Sequence, residues 1–401
     1  MFWDRPVESA LSNLKKQIHA PLKLVLWDGR EVALSDEPRV TVRLNDASAA
    51  AALAHPSFLT LGEAYIEGRA DLEGDMREAI RSVEALARSA RRTLFAQSGS
   101  RARHTRNVDR ESIKHHYDVS NEFYALWLDP RMVYSCAYFR DENDSLEAAQ
   151  LQKLDHICRK LRLAPGERFL DIGCGWGALV IRAAERYGVD ATGVTLSENQ
   201  HRLANERIRT AGLQDRCRVL LQDYRDHPGD GTYDKVASVG MFEHVGLRNL
   251  PVYFGAVHRL LRAGGLFMNH GITAANTENC PVGMGAGEFI GRYVFPNGEV
   301  PHLHLATREM SDQSLEIHDV ECLRTHYAKT LALWSANFEQ RLTEAVAASD
   351  ERRARIWRLY LAGCAHAFEQ SWVSIYQILA SKPAASGRTE LPLTRDWMYR
   401  D

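Results

Sequence analysis

Hydrophobic and polar positions repeat with two different periods between residues 168 and 239. Arg168–Ile172 is a short run that ends in apolar residues and has the length of a β-strand, whereas Ala178–Arg186 has apolar residues every three or four positions. Further strand-like runs follow at Asp190–Val194, Arg218–Leu221 and Tyr233–Val239. Strands that alternate with helices in this way predict a doubly wound α/β domain.

The turn after the first of these strands is rich in glycine. Gly173, Gly175 and Gly177 have G-x-G-x-G spacing, and glycine lets the backbone turn sharply and approach a ligand closely. The following helix N-terminus offers free N–H groups and a positive dipole to an anionic group such as a carboxylate. Asp171, near the carboxyl end of the strand, would attract a cationic amine.

Polar residues also follow the next three predicted strands. They lie in segments 195–200, 222–224 and 240–244. Because the carboxyl ends of parallel strands share one edge of a sheet, these segments predict a single ligand-binding crevice. The simpler alternative is an α/β domain without a cofactor, since glycine turns also occur for steric reasons.

The chain before this unit predicts a smaller α+β domain over residues 1–90. Leu22–Trp27 and Arg39–Leu44 have the pattern of strands, and Asp75–Ala90 has that of an amphipathic helix. No residue pattern in this domain indicates catalysis. We interpret it either as an interaction domain or as a lipid-handling or dimer-forming module.

Further elements are predicted around and after the glycine turn. They are helices at Leu146–Leu161 and Asn249–Leu261, a turn at 262–265, strands at Leu266–Asn269 and Ser314–Cys322, and long helices at Arg324–Val346 and Arg352–Leu379. Segment 274–288 is a predicted loop with alternate glycines, and the chain from Pro383 onward is a predicted loose tail.

Composition narrows the class of protein. The chain has 401 residues, which is the length of two domains, and its formal net charge of −2 argues against bulk nucleic-acid binding. No run approaches the roughly 18 apolar residues of a membrane-spanning helix, and charges from Asp4 to Lys16 argue against a signal peptide. The seven cysteines include no metal-like C-x-x-C pair, so we expect no metal site and free thiols in a reducing cytoplasm.

Residues 91–116 predict a basic linker between the two domains. Ser98-Gly-Ser100 indicates flexibility, and residues 88–116 hold seven arginines and one lysine against one aspartate and one glutamate. Such a charge run is usually a solvated face, but a polybasic segment gains roughly 1 kcal/mol per residue at an anionic bilayer. We therefore expect a reversible, electrostatic and peripheral contact with membrane phospholipid headgroups.

Several longer motifs stand in a fixed order along the chain. They are His116-Tyr-Asp118 with Phe123-Tyr124, Trp127 to Tyr138, Leu170 to Gly177, Gly193 to Ser197, Gln222 to Arg225, Ser238 to Gly246, Tyr293 with Phe295-Pro-Asn-Gly298, and His326-Tyr327 before Trp334. In these motifs the chain resembles the cyclopropane-fatty-acyl-phospholipid synthases, and more broadly the cyclopropane and mycolic-acid methyltransferase group. Leu61 to Gly68 also resembles the N-terminal domain of the bacterial synthases, which favours the phospholipid branch.

The resemblance implies a Rossmann-like class I methyltransferase domain at residues 117–401 that uses S-adenosylmethionine. It places this methyl donor against Tyr134, Ser135, Gly173, Gly175, Thr195, Gln200, Asp223 and Tyr224, to which we add Asp171 and Gly177 from the glycine turn. Many methyltransferases carry an acidic residue at the end of the second strand. This chain has Thr195 and Ser197 there instead, as the family it resembles does.

The resemblance also implies a bound bicarbonate that acts as a base. We call its five expected neighbours the cage, namely Cys136, Glu243, His270, Ile272 and Tyr327. A base is needed because methyl transfer to an alkene leaves a carbocation, and a proton must leave the new methyl group before a ring closes. Glu243 can accept a hydrogen bond from bicarbonate, while His270 and Tyr327 can donate hydrogen bonds to it.

Each cage residue also has a simpler structural interpretation. Cys136 alone would be a small buried residue, His270 alone a satisfied core histidine, and Tyr327 alone a packing residue on a helix. The motifs in order favour the cage, and aromatic faces nearby could stabilise a carbocation by roughly 0.5–2 kcal/mol each.

We therefore expect the protein to transfer a methylene group from S-adenosylmethionine to the cis double bond of an unsaturated phospholipid, giving a cyclopropane fatty acid. The first alternative is C-methylation of an unsaturated acyl chain or a small molecule, which gives a methyl-branched product. The second is a non-catalytic lipid-binding protein. A homodimer through the N-terminal domain is expected by analogy alone.

Overall fold

The computed structural model describes residues 20–90, 120–279, 282–387, 389 and 391–400. These residues form two sheets, of four and seven strands, each with its own helices. The predicted basic linker 91–116 and the motif at His116–Asp118 lie outside the described residues. Of the described helices, none is both long enough and apolar enough to cross a membrane.

The smaller unit lies at the amino end of the described chain. Its elements are β1 (Leu22–Val25), β2 (Glu31–Ala33), β3 (Val40–Leu44), α1 (Ala49–Ala54), α2 (Phe58–Ile66), β4 (Ala70–Gly74) and α3 (Met76–Ala90). The strand order is β2-β1-β3-β4, with β1 and β3 parallel and the other pairs antiparallel. The motif from Leu61 to Gly68 belongs mostly to α2, which Ser57 caps through a hydrogen bond from the Thr60 backbone N–H at 3.0 Å.

The larger unit follows the pattern that the sequence predicts around the glycine turn. Its elements are α4 (Asn121–Ala125), α5 (Leu146–Lys160), β5 (Arg168–Ile172), α6 (Ala178–Tyr187), β6 (Asp190–Thr195), α7 (Glu198–Thr210), β7 (Cys217–Leu221), β8 (Tyr233–Val239), α8 (Leu250–Leu260), β9 (Leu261–Ala274), α9 (Ala286–Tyr293), α10 (Leu303–Asp312), β10 (Glu316–Cys322), α11 (Arg324–Gln340), α12 (Leu342–Ala348), α13 (Glu351–Glu369) and β11 (Val373–Ser381).

The seven strands are ordered β10-β11-β9-β8-β5-β6-β7. The pairs from β9 to β7 are parallel, whereas β11 runs antiparallel to both β9 and β10. Strand order therefore reverses beside β5, where a doubly wound sheet opens a crevice at the carboxyl ends of its strands. This arrangement confirms the predicted α/β fold.

The prediction of one helix over Arg352–Leu379 is wrong. Helix α13 ends at Glu369, Ser371 has a φ of +59°, and β11 then enters the sheet between β9 and β10. The run Val373–Leu379 is rich in β-branched and apolar residues, and from Gln377 to Ser381 every residue of β11 is buried, whichever face of the sheet it lies on. A strand of this kind has no period-2 alternation, so hydrophobic periodicity could not separate it from the helix before it.

Three smaller predictions also differ from the structure. The predicted helix Arg324–Val346 is two helices, α11 and α12, which meet at Arg341, and the predicted turn at 262–265 lies within β9. The predicted loop 274–288 already contains the first residues of α9. The tail is not loose, because Met398 is buried and its backbone oxygen accepts a hydrogen bond from Arg159 Nε at 3.2 Å.

The two units pack against each other through helices. In the small unit, α3 contacts α13, and α2 contacts both α9 and α13. Across this interface Arg358 donates to the Tyr65 hydroxyl at 2.9 Å, and the Tyr293 hydroxyl donates to Glu63 at 2.9 Å. The small unit therefore supports the helices that follow and cover the larger sheet.

Candidate active site

The glycine turn joins β5 to α6 in the left-handed backbone region. Gly173, Gly175 and Gly177 have φ angles of +79°, +55° and +83°, which other residues rarely adopt. A Cβ on Gly173 would lie 2.8 Å from Met241 Cγ, whereas a Cβ on Gly175 would meet no atom within 4 Å. Gly173 is therefore required by packing, while the backbone at Gly175 borders open space that a ligand could approach.

The ends of the neighbouring strands bring further predicted residues to the same edge of the sheet. Thr195 ends β6, and its hydroxyl donates to Gln200 Oε1 at 2.7 Å. Asp223 follows β7, and its carboxylate accepts hydrogen bonds from the backbone N–H and the guanidinium of Arg225 at 2.6–2.9 Å. The ring of Tyr224 packs edge-on against that of Tyr253 on α8. We call this edge, with Asp171, Gly173, Gly175, Gly177, Thr195, Gln200, Asp223 and Tyr224, the cofactor edge.

Two polar side chains of α5 hold the segment that contains Tyr134 and Ser135. Gln150 Nε2 donates to the backbone oxygens of Val133 and Ser135 at 3.3 and 2.9 Å, and Lys153 Nζ donates to Ser135 Oγ at 2.8 Å. A Cβ on Gly240 would lie 4.0 Å from Ser135 Cβ, so the segment crosses the carboxyl end of β8. Tyr134 is fixed by a 2.8 Å hydrogen bond between its hydroxyl and that of Tyr360.

Asp171 is buried beneath the glycine turn, with 3% of its surface exposed. Its Oδ1 has no hydrogen-bond partner among the described residues. Burial raises the pKa of Asp171 to about 7, and the positive charge of Lys153 opposes that rise. A buried carboxyl oxygen without a donor costs free energy, so the site favours a ligand that brings an N–H group.

Glu243 occupies the turn after β8 and contacts β9. Its Oε1 accepts a hydrogen bond from the backbone N–H of Ile272 at 2.6 Å. Its Oε2 is buried and finds no hydrogen-bond partner in the part of the chain that the structure describes. Burial raises the pKa of Glu243 to about 7, against the effect of the Ile272 hydrogen bond. The carboxyl group can therefore change protonation state near neutral pH.

His270 lies on β9, two residues before Ile272, and is 1% exposed. Its Nδ1 lies 3.2 Å from Nε2 of Gln377 on β11, and its Nε2 has no partner among the described residues. Burial holds the pKa of His270 well below its usual range, so the imidazole is neutral.

A path of backbone contacts connects Cys136 and Tyr327 to the other cage residues. The Leu323 backbone oxygen accepts a hydrogen bond from the Tyr327 N–H at 3.0 Å and lies 3.8 Å from Cys136 Sγ. The Leu323 N–H donates to the Ile375 oxygen at 2.9 Å, and Ile375 pairs with Ile272 across the sheet. Burial raises the pKa of the Cys136 thiol, which therefore stays neutral. Cys136 and Tyr327 belong to one hydrophobic core against which Ile272 packs, and the Ile272 N–H donates to Glu243.

A cluster of aromatic rings joins Tyr327 of the cage to Tyr134. The ring centroids of Tyr134, Trp334 and Trp357 lie 5.3–5.5 Å from that of Trp127, and Tyr327 lies 6.0 Å from Trp334. Trp127 and Trp334 are fully buried. Tyr134 and Tyr327 therefore belong to one cluster of closely packed aromatic rings.

Sequence reasoning missed three buried polar residues of this site: Gln150, Lys153 and Gln377. The spacing of Gln150 and Lys153 places them on one face of α5 beside apolar residues, which was a readable signal. Gln377 had no such signal, because its segment was predicted to be helical.

Comparisons with known proteins agree with this geometry. A family model described as mycolic acid cyclopropane synthetase matches residues 104–378, and one described as domain of unknown function (DUF7884) matches residues 11–93. The chain is 50% identical over 385 residues to a probable fatty acid methyltransferase of Pseudomonas putida, covering 96% of this chain and 98% of the relative.

Two further proteins, a synthase and a solved structure, are also similar to the chain. It is 39% identical over 274 residues to a cyclopropane-fatty-acyl-phospholipid synthase of Escherichia coli (strain K12), covering 68% of each chain. Its structure matches that of the mycolic acid cyclopropane synthase CmaA1 complexed with SAH and CTAB, with a TM-score of 0.65 and 34% identity over 68% of this chain and 98% of the other. The chain therefore belongs to the mycolic acid cyclopropane synthetase family and is an S-adenosylmethionine-dependent methyltransferase.

Proposed function

We propose that this enzyme transfers a methylene group from S-adenosylmethionine to the cis double bond of an unsaturated phospholipid acyl chain. The product is a cyclopropane fatty acid, and bicarbonate serves as the base. The observation that carries the proposal is a pair of buried atoms, Glu243 Oε2 and His270 Nε2, that have no hydrogen-bond partner among the described residues. Glu243 is bonded to the N–H of Ile272, two residues after His270 on β9. Two such atoms are costly in a protein interior unless a small polar ligand satisfies them.

The cofactor edge fits S-adenosylmethionine. The unpartnered Oδ1 of Asp171 suits the amine of the ligand, and the open backbone at Gly175 allows close approach. The N-terminus of α6 suits a carboxylate. When bound, S-adenosylmethionine supplies an electrophilic methyl group. The chain contributes by fixing Tyr134, Ser135 and Thr195 before binding, since each already has a hydrogen-bonded partner.

The cage fits bicarbonate. Glu243 Oε2 can accept a hydrogen bond from an O–H group, and a neutral His270 can donate one to an oxygen. When bound, bicarbonate supplies a base for the proton of the new methyl group. Glu243 orients that base, and the neutral Cys136 thiol adds no competing negative charge. The aromatic rings exclude water and can stabilise a carbocation by roughly 0.5–2 kcal/mol each.

A methyl-branched product is a second candidate. The 50% identical relative is named a probable fatty acid methyltransferase, and it covers nearly the whole of this chain. The same methyl transfer yields a branched alkene if the carbocation loses a proton from the acyl chain instead of from the new methyl group. The cage favours the cyclopropane, because it provides a place for a base that would take the methyl proton.

Product analysis tests the proposed function. The purified enzyme is incubated with vesicles of an unsaturated phospholipid and methyl-labelled S-adenosylmethionine, and fatty methyl esters are analysed by mass spectrometry and NMR. A mass gain of one CH₂ with ring protons in the NMR spectrum supports the proposal. A gain of one CH₂ with olefinic or methyl-branch signals favours the second candidate, and label confined to soluble molecules contradicts both.

We also propose that the basic segment 88–116 brings the enzyme to anionic membranes reversibly. The support is its charge of eight basic against two acidic residues. Co-sedimentation with anionic liposomes should fall steeply between low and high salt, and it should fall when Arg101, Arg103 and Arg106 are replaced by glutamine. Retention that neither change affects would contradict the proposal. The homodimer stays a prediction, which light scattering of the purified protein would check.

A further inference from the structure

His270 and Gln377 face each other across two central strands. Residue pairing between β9 and β11 sets Gln377 directly opposite His270, and Gln377 is completely buried. Among the described residues, these two side chains have no hydrogen-bonding contact other than the 3.2 Å approach of Gln377 Nε2 to His270 Nδ1. The pairing is therefore set by the register of the sheet and not by flexible loops.

With the Gln377 amide oriented so that its nitrogen faces the imidazole, this contact determines which ring nitrogen of His270 carries the proton. An amide nitrogen donates and has no lone pair to accept with, so Nδ1 must be the acceptor and cannot carry a hydrogen. The imidazole is buried and neutral, so its one hydrogen lies on Nε2. That nitrogen is the atom without a partner among the described residues.

We propose that Gln377 is a positioning residue that holds His270 as the Nε2–H tautomer, so that His270 offers a hydrogen-bond donor to an anion beside Glu243. The identity of that anion as bicarbonate rests on the proposed function, but the tautomer does not. A carboxylate or a carbonyl oxygen at Nδ1, which are frequent partners of histidine, would enforce the opposite tautomer. His270 would then present a lone pair to the anion and repel it.

The burial of Gln377 supports a role beyond packing. Its Oε1 has no hydrogen-bond partner among the described residues, although the side chain is fully buried. An unpaired amide oxygen destabilises the folded state, and an apolar residue would fill this strand position without that cost. Glutamine at this place is consistent with selection for the donor that Nε2 of its amide provides.

The tautomer can be observed directly by NMR. The wild-type enzyme is labelled with ¹⁵N-histidine and studied without cofactor or bicarbonate, and the His270 signals are assigned by comparison with His270→Gln. We expect a protonated Nε2 and an unprotonated Nδ1. The two signals can be told apart because Nε2 couples strongly to both ring C–H protons and Nδ1 to only one. A protonated Nδ1, or an imidazolium ring, would overturn the proposal.

Two variants connect the tautomer to the anion. Gln377→Glu replaces the donor by an acceptor, and Gln377→Met removes it with little change of volume. We expect the Glu variant to move the His270 hydrogen to Nδ1 or to give an imidazolium, and both variants to need at least about tenfold more bicarbonate for half-maximal rate. The exposed Gln214→Glu is the matched control and should behave as wild type.

The outcomes separate this proposal from the proposed function. Both Gln377 variants should keep their affinity for SAH within about twofold, which shows that the fold and the cofactor edge are intact. If His270 of the wild-type enzyme is protonated at Nε2 but the reaction rate does not depend on the bicarbonate concentration, the proposed base is overturned and the role of Gln377 is still supported. Unchanged His270 signals in Gln377→Glu would overturn the role of Gln377.

Discussion

The cofactor edge and the cage are built by different kinds of contact. In the cofactor edge, hydrogen bonds join residues two to five positions apart, as between Asp223 and Arg225 or Thr195 and Gln200. In the cage, Glu243 and Ile272 are 29 positions apart, and His270 and Gln377 are 107 positions apart. The cofactor edge is therefore a set of local turns, whereas the cage forms only when distant strands assemble.

This difference predicts how substitutions in the cofactor edge and in the cage should act. A substitution in the cofactor edge should change ligand affinity through one turn at a time. A substitution in the cage should change chemistry or stability without changing cofactor affinity, because its residues contact the protein interior. The segment Tyr134–Cys136 contributes to both halves, and it is the place where a single change should affect both.

The largest expected effect separates chemistry from cofactor binding. Glu243→Gln keeps the acceptor for the Ile272 N–H but cannot orient a base as a carboxylate does. We expect product formation to fall by about 10²–10⁴-fold, while the affinity for SAH changes by less than about twofold. Steady-state rates and calorimetric titration measure the two quantities. The exposed Glu185→Gln is the control, and an equal loss of affinity in Glu243→Gln would break the comparison.

The same variant should reveal the cost of the cage to stability. The pKa of Glu243 is raised from 4.5 to about 7, so its contribution to stability is complete below pH 4.5 and is lost as the pH rises through 7. Glu243→Gln avoids this loss and should be more stable than wild type by up to about 3 kcal/mol at pH 8, but by less than about 1 kcal/mol at pH 5. Urea unfolding at the two pH values checks this, and a difference independent of pH would contradict it.

A change in the shared segment should affect both halves together. Gln150→Leu removes the donor to the Val133 and Ser135 backbone oxygens, which stay buried. We expect a loss of about 1–3 kcal/mol in the free energy of unfolding, with weaker SAH binding and slower product formation. Gln152→Leu is the control, because Gln152 lies two residues further along α5, is half-buried and accepts one hydrogen bond, from the Arg140 N–H. This change should cost about 1 kcal/mol or less. Normal SAH binding in Gln150→Leu would show that the segment is held by other contacts.

The smallest expected effect isolates the cofactor edge. Gly175 and Gly166 have φ angles of +55° and +83°, and a Cβ on either would meet no atom within 4 Å. Alanine should therefore cost about 1–2 kcal/mol of backbone strain at both positions. Only Gly175→Ala should also weaken SAH binding, by about tenfold, because its backbone borders the crevice. If Gly175→Ala and Gly166→Ala bind SAH with equal affinity, the cofactor does not contact the glycine turn.

Much of the cofactor edge could be predicted from sequence because its signals are local. The run from Arg168 to Ile172 is the observed strand β5, and the three glycines have the φ angles that their spacing suggests. The tethering of the Asp223 carboxylate by Arg225 was not predicted, since nothing in the sequence says which way either side chain turns.

The contacts inside the cage could not be predicted in the same way. The resemblance supplied the five residues, but Gln377 was assigned to a helix because β11 is apolar on both faces. Gln377 was therefore not predicted as the partner of His270, because strand register is a property of the assembled sheet. The fold of the glycine-turn unit could thus be predicted from sequence, while the pairing of His270 with Gln377 could not.

The fate of the methyl hydrogens tests most directly whether the two halves act on one alkene. The enzyme is supplied with S-adenosylmethionine that carries a CD₃ group and with vesicles of an unsaturated phospholipid, and the deuterium in the product is counted by mass spectrometry and located by NMR. The account predicts two deuterium atoms on one ring carbon, because a base in the cage removes the third. Three retained deuterium atoms on a methyl branch would show that the cage does not take the methyl proton.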